Sequence, residues 1–266
     1  MKTFQNIAQG DSAPVLIHAH PGHELRLFHW MEQTKPTVLL MTDGAGGSMA
    51  PRVEFSRDCI ARAGATEGRM FGPMSDRAWY ASILRGDPSA FFMIIDAAVE
   101  VALAQNASLV VSDAVDGYNP MHDLCEAVGA AAVSRLRRQG RDVTHLVARA
   151  TATDEGEVAE DRYLDAGALA RKLAAIEAYA PLAQEARLLT AADPAAHAVE
   201  RLRLPEFDWP AHFTPHWEEV GLQRVASNRY AQPITYAQHV RPLAYALLGR
   251  VVAHQADREE RAACGF

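Results

Sequence analysis

Apolar residues concentrate in four short stretches of the first 150 positions, each closed by Gly, Pro or Asp. Residues 14–20 (Pro-Val-Leu-Ile-His-Ala-His), 37–42 (Thr-Val-Leu-Leu-Met-Thr), 108–113 (Ser-Leu-Val-Val-Ser-Asp) and 143–147 (Val-Thr-His-Leu-Val) read as strands. Their near-continuous apolar character is what strands buried on both faces show. Between them the period changes to that of helices. Residues 52–63, after Pro51, carry apolar positions at helical spacing, residues 89–105 are strongly apolar and stop at Asn106, and residues 124–138 stop near Gly140. Asn is a common helix C-cap because it tolerates the left-handed conformation. Strand–helix alternation calls for parallel pairing through right-handed crossovers. The expected fold class is α/β: a Rossmann-like, doubly wound, mostly parallel sheet flanked by helices.

The pattern shifts after residue 151. Residues 161–189 are rich in Ala and Leu and read as one long helix or two, residues 205–215 as an irregular aromatic loop, residues 236–258 as a last helix and residues 259–266 as a tail. No internal repeat or linker composition interrupts the chain. The economical organisation is a single domain over residues 1–266. Residues 1–150 would form the core that carries the chemistry, and residues 151–266 a helical and loop elaboration walling the pocket.

Composition narrows the function classes. The chain has 266 residues, 49% hydrophobic and 22% charged, with a formal net charge of −7. An acidic balance disfavours a nucleic-acid partner, which would need clustered Lys and Arg to neutralise phosphates. The three cysteines, Cys59, Cys125 and Cys264, are odd in number, widely spaced and in no CxxC pair, which suits a reducing compartment. Residues 1–11 lack the apolar segment of a secretory signal, and no apolar run approaches the ~20 residues of a membrane span. A cytoplasmic protein with a small-molecule substrate, no nucleic acid and no membrane partner is expected; formation of a homo-oligomer is left open.

Candidate chemistry lies at two strand exits, where open α/β sheets bind their ligands. The first reads His18-Ala-His20-Pro-Gly-His23-Glu24, and the second Ser112-Asp-Ala-Val-Asp116-Gly-Tyr118-Asn119-Pro-Met-His122-Asp123. Three imidazoles with an open fourth position form a familiar catalytic zinc set. His20 and His23 straddle a Pro-Gly turn that can curl both rings toward one point, and His122 would arrive from the other exit loop. His18, on the same strand face as His20, is a supporting or a core residue.

The segment Leu16-Ile-His-Ala-His-Pro-Gly-His-Glu24 resembles the Ala-His-Pro-Asp-Asp-Glu signature of the PIG-L/LmbE family of de-N-acetylases. Tyr118-Asn-Pro-Met-His122 resembles that family's second signature, His-Pro-Asp-His, and Thr42-Asp-Gly44 its Thr-x-Gly strand end. The resemblance spans roughly residues 13–150. It implies Zn²⁺ or another divalent metal held by His20, His23 (in place of a ligand Asp) and His122, and removal of an acetyl or other N-acyl group from an amino sugar or related carbohydrate-derived metabolite.

Departures from the signatures bear on the chemistry. Gly22 stands where the family has its general-base Asp, and Asn119 and Met121 replace the first His and the Asp of the second signature. General-base catalysis contributes roughly 10²–10⁴-fold, so another carboxylate is expected to move the proton: Asp116 first, then Glu24, then Asp43. Tyr118 and Asn119 are expected to donate to a developing oxyanion. The alternative is a divergent relative that binds a sugar or sugar nucleotide without deacetylating it. An amidohydrolase barrel would need eight strand–helix units, and a methyltransferase would leave the histidines unexplained.

Overall fold

The computed structural model describes residues 12–46, 50–150, 156–192 and 196–250. The expectations for the first eleven residues and for the last helix and tail beyond residue 250 lie outside the described residues. Among the described residues, seven strands form one sheet in the order β3-β2-β1-β4-β5-β7-β6. Five are parallel: β1 (Val15–His18), β2 (Thr37–Thr42), β3 (Thr66–Met74), β4 (Leu109–Asp113) and β5 (Thr144–Ala148). Toward the far edge, β7 (Val199–Arg203) pairs antiparallel with β5, and β6 (Val158–Tyr163) pairs antiparallel with β7.

The central strands match their sequence reading because both of their faces are covered. Every residue of β1, β2 and β4 is buried. On one face a 3-10 turn (His23–Leu27), α1 (Phe28–Thr34), α2 (Val53–Ala63) and α6 (Ala166–Ala178) pack over Leu16, Val38 and Val111. On the other, α3 (Asp76–Leu84), α4 (Ser89–Gln105) and α5 (Pro120–Arg138) pack over Val15, Ile17, Leu39 and Val110. Trp79 of α3 is fully buried and donates its indole N–H to the Met41 carbonyl at 2.7 Å. A buried aromatic side chain of this kind contributes about 3 kcal/mol through burial. The helix expected over residues 89–105 has those bounds, with Asn106 as a left-handed C-cap at φ 56°.

Several elements differ from expectation. β3 is an edge strand whose two glycines, proline and charges hide it from a hydrophobicity reading. α5 begins at Pro120, four residues before the expected start, because Pro at the first helical position and Asn119 as N-cap favour initiation there. His122 is therefore in the first turn of a helix and not in the exit loop. The segment expected to be all helix over 161–189 opens with the end of β6, followed by α6 and α7 (Ala180–Ala192). The aromatic stretch 205–215 is irregular as expected, and α8 (His216–Ala226), a π-helical turn (Tyr236–Val240) and α9 (Arg241–Leu248) follow. No helix among the described residues is long and apolar enough to cross a membrane.

A buried ion pair ties the antiparallel edge to the parallel core. Lys172 of α6 donates to Glu200 of β7 at 2.8 Å and to the Arg26 carbonyl at 2.9 Å. The same Glu200 carboxylate accepts the backbone N–H groups of His29 and Trp30 in the first turn of α1, at 2.9 and 2.6 Å. A carboxylate there meets the unsatisfied amides and positive dipole end of the helix.

Candidate metal centre

The strand order turns back between β1 and β4, since β1 leads outward to β2 and β4 to β5. That switch point opens a crevice beyond the carboxyl ends of the two strands. Four histidines meet there. The ring centroids of His20, His23 and His122 are 5.4, 5.1 and 4.6 Å apart pairwise, and His18 lies 5.9 Å from His23. The turn that curls His20 and His23 together needs its glycine. Gly22 sits at φ 106°, and a Cβ there would come within 2.3 Å of Leu182 Cδ1, from α7.

Each ring has its Nδ1 against a carboxylate. His18 and His23 both donate Nδ1–H to Asp113, one to each oxygen, at 2.7 Å. His122 Nδ1 lies 3.0 Å from Asp116 Oδ2. His20 Nδ1 is hydrogen-bonded to Thr42 Oγ1 at 3.0 Å and lies 3.0 Å from Asp76 Oδ1 as an ionic contact. Orientation of an imidazole through Nδ1 leaves Nε2 as the donor atom, the arrangement found around histidine-ligated metals. His20 Nε2 and His18 Nε2 are buried without a hydrogen-bond partner among the described residues, and a buried polar atom of this kind calls for an explanation such as an ion or water.

The charge states follow from these surroundings. Burial drives the His23 pKa down to about 3, against the pull of Asp113, so its ring is neutral near pH 7. Burial alone would raise Asp113, but its two imidazole partners, His23 and His18, hold it well below the usual carboxylate range. For His122 burial works downward, yet the hydrogen bond and charge of Asp116, with Asp113 and Asp123 behind it, leave it above the ordinary value. Asp76 is opposed by burial and is nonetheless held low by His20, Thr42 and Arg52.

The expected auxiliary residues are placed as follows. The Asp116 side chain is fully buried, and its other oxygen accepts the Tyr118 N–H at 2.9 Å. Glu24 is also fully buried and accepts the Gly22 N–H at 2.8 Å, with its carboxyl raised by burial. Asp43 accepts the Ala45 N–H within its own loop. Tyr118 is 62% exposed at the rim, facing His122 and His216. Asn119 caps α5 and donates to Tyr80 Oη at 3.2 Å. Arg52 donates to the Pro21 carbonyl, bracing the first exit turn.

Sequence reasoning missed Asp113, Asp76, Asp123 and Glu126. Asp123 accepts the backbone N–H groups of Asp116 and Gly117 and the Trp217 indole N–H, and Glu126 accepts the Val115 N–H. These two acids shape the loop that presents Asp116; burial raises Asp123 to about 6 and Glu126 to about 7. Asp113 follows from the sheet register: β1 and β4 pair in parallel with Ile17 opposite Ser112, so the next step sets His18 beside Asp113.

The donor atoms of His18, His23 and Asp113 all lie within 4.8 Å of one another, close enough to hold one ion. Both Asp113 oxygens already accept imidazole N–H groups, and one also accepts the Ala19 N–H at 2.7 Å. The carboxylate of that set is therefore fully engaged, while the Nε2 atoms of His18 and His20 are left without a hydrogen-bond partner among the described residues.

No protein-family model matches the chain, and no curated protein matches it. Among solved structures, the chain is similar to an A40926 pseudoaglycone deacetylase, Dbv21, at 16% identity and TM-score 0.50, over 73% of this chain and 96% of that one. A conserved protein of Thermus thermophilus follows at 14% identity and TM-score 0.49, over 73% and 94%. The zinc-inhibited form of the teicoplanin deacetylase Orf2 aligns at 12% identity and TM-score 0.42, over 71% and 96%. The first likeness supports the α/β fold described above.

Proposed function

We propose that the chain is a zinc-dependent hydrolase that removes an N-acetyl or other N-acyl group from an amino sugar or a related small polar metabolite. The observation that carries this reading is the convergence of His20, His23 and His122 at the sheet's switch point, each with its Nδ1 against a carboxylate. The signature resemblance and a structural neighbour named as a deacetylase point the same way. The three imidazoles would hold the ion through Nε2, and neutral nitrogen donors of this number suit Zn²⁺. When bound, such an ion supplies Lewis acidity toward an amide carbonyl and toward water.

The chain's own groups divide the remaining work. Asp76, Asp113 and Asp116 fix the rings and make them better donors. Asp116 reaches the crevice only through His122, whose Nε2 would be taken up by the ion, so in this scheme it orients that ring and carries no proton to or from the substrate. Glu24 faces away, into the layer formed by Ser56 and Tyr179, and serves the Gly22 turn. The Tyr118 hydroxyl at the rim is the donor for a carbonyl oxygen gaining negative charge, and Asn119 supports it by fixing the start of α5 beside Tyr80.

One observation favours the alternative of a sugar-binding relative without turnover. Asp116, Glu24 and Asp43 all have their carboxylates engaged, and the space beside Gly22 is filled by Leu182. A panel of N-acetylated amino sugars, free and aglycone-linked, decides between them. The hydrolase reading expects acetate release that a chelator abolishes and zinc restores. Binding by calorimetry with no acetate from any member of the panel would sink it in favour of the alternative.

A further inference from the structure

We infer that Asp113 is the positioning residue of this centre: one carboxylate holds His18 and His23 together and sets His23 so that Nε2 is the nitrogen offered to an ion. This rests on the metal-site reading and deepens it. Asp113 is the last residue of β4 and 1% exposed. Its Oδ1 accepts from His18 Nδ1, and its Oδ2 accepts from both His23 Nδ1 and the Ala19 N–H, all at 2.7 Å. An ionised carboxylate only accepts, so each facing Nδ1 must carry the ring proton and each Nε2 the lone pair. Asp76 and Asp116 each face one ring, whereas Asp113 locks two rings and the backbone of the first exit together. His18 acts through Asp113 and stiffens its grip on His23.

The asymmetry of the two oxygens makes the inference sharp. In Asp113→Asn the amide oxygen belongs on the Oδ2 side, where two donors wait, and the amide nitrogen then faces His18. His18 must shift its proton to Nε2, while His23 keeps its tautomer. Asp113→Ala releases both rings.

The test reads histidine tautomers by long-range proton–nitrogen NMR on the metal-free full-length protein, and zinc affinity by chelator competition. Thermal melts identify the variants that remain folded. The wild type is expected to carry Nδ1–H on both His18 and His23, and Asp113→Asn to switch His18 alone. Zinc affinity is expected to fall ~10-fold in Asp113→Asn and ~100-fold in Asp113→Ala, the range found for lost orienting partners of metal-bound histidines. A wild-type His23 protonated on Nε2 overturns the inference, and needs no variant to fold. So does unchanged zinc affinity in folded Asp113→Ala, or abolished zinc binding there while His20→Ala keeps its zinc, which would make Asp113 a ligand. Wild-type protein that takes up no zinc at all removes the metal reading itself, a result distinct from a wrong tautomer.

Discussion

Replacing Gly22 should be costly for two separable reasons. Its φ of 106° lies in a region that side-chain-bearing residues rarely adopt, which costs about 1–3 kcal/mol for a non-glycine residue. An added Cβ would also lie 2.3 Å from Leu182 Cδ1, and overpacking of this kind typically costs a further ~1–3 kcal/mol. Gly22→Ala should therefore lose about 2–6 kcal/mol, and Gly22→Asp, which writes a carboxylate into the turn, at least as much. Urea denaturation of the single variants, of Leu182→Ala and of the double variant separates the two causes. If the clash is real, the double variant should be more stable than the sum of the single losses predicts by about 1 kcal/mol or more, since residues in contact do not act additively. A Gly22→Ala loss below about 0.5 kcal/mol, the range of ordinary surface changes, would refute both the strain and the close approach.

Glu200→Ala should destabilise by about 3–5 kcal/mol, because it strands the buried Lys172 ammonium and leaves two helix-start amides unpaired; chemical denaturation checks this, and a loss under about 1 kcal/mol would contradict it. Glu126, raised to about 7 in the folded state, binds its proton more tightly there than when unfolded, so its contribution is full below about pH 4.5 and is lost as pH rises toward 7. Glu126→Gln keeps an acceptor for the Val115 N–H and should flatten that loss, raising stability at pH 8 by up to about 3 kcal/mol; an unchanged pH profile of the melting temperature would argue against it. Tyr118→Phe should leave the fold intact while lowering acetate release by about 10-fold or more through kcat, as loss of an oxyanion donor does. A change confined to KM would reassign Tyr118 to substrate binding.

How far the sequence could be read depended on where each element sits. β1, β2 and β4 were legible because burial on both faces leaves a continuous apolar run, and α4 because its period and Asn106 cap agree. β3, β6 and β7 were not: the edge strand β3 carries glycines and a proline that imitate a loop, and β6 and β7, at the far side of the sheet, carry charges in place of an apolar run. The histidines were legible because strand exits of an α/β sheet are where ligands bind, and a Pro-Gly turn between two of them is a local signal. Their carboxylates were harder. Asp113 becomes visible only when the β1/β4 register is known, and Asp76 opens a helix, α3, that the sequence reading did not expect, more than thirty residues after Thr42. Asp116 was legible as a chemical group and not as an orienting one, because its tie to His122 depends on a helix that starts four residues early.

Zinc content decides whether the three imidazoles hold an ion. Protein purified without chelator and equilibrated with zinc should carry about one ion per chain by elemental analysis, and both His20→Ala and His122→Ala, while still folded, should lose it. Stoichiometric zinc retained in both variants would contradict the account, because the ion would then be held by some other set of side chains.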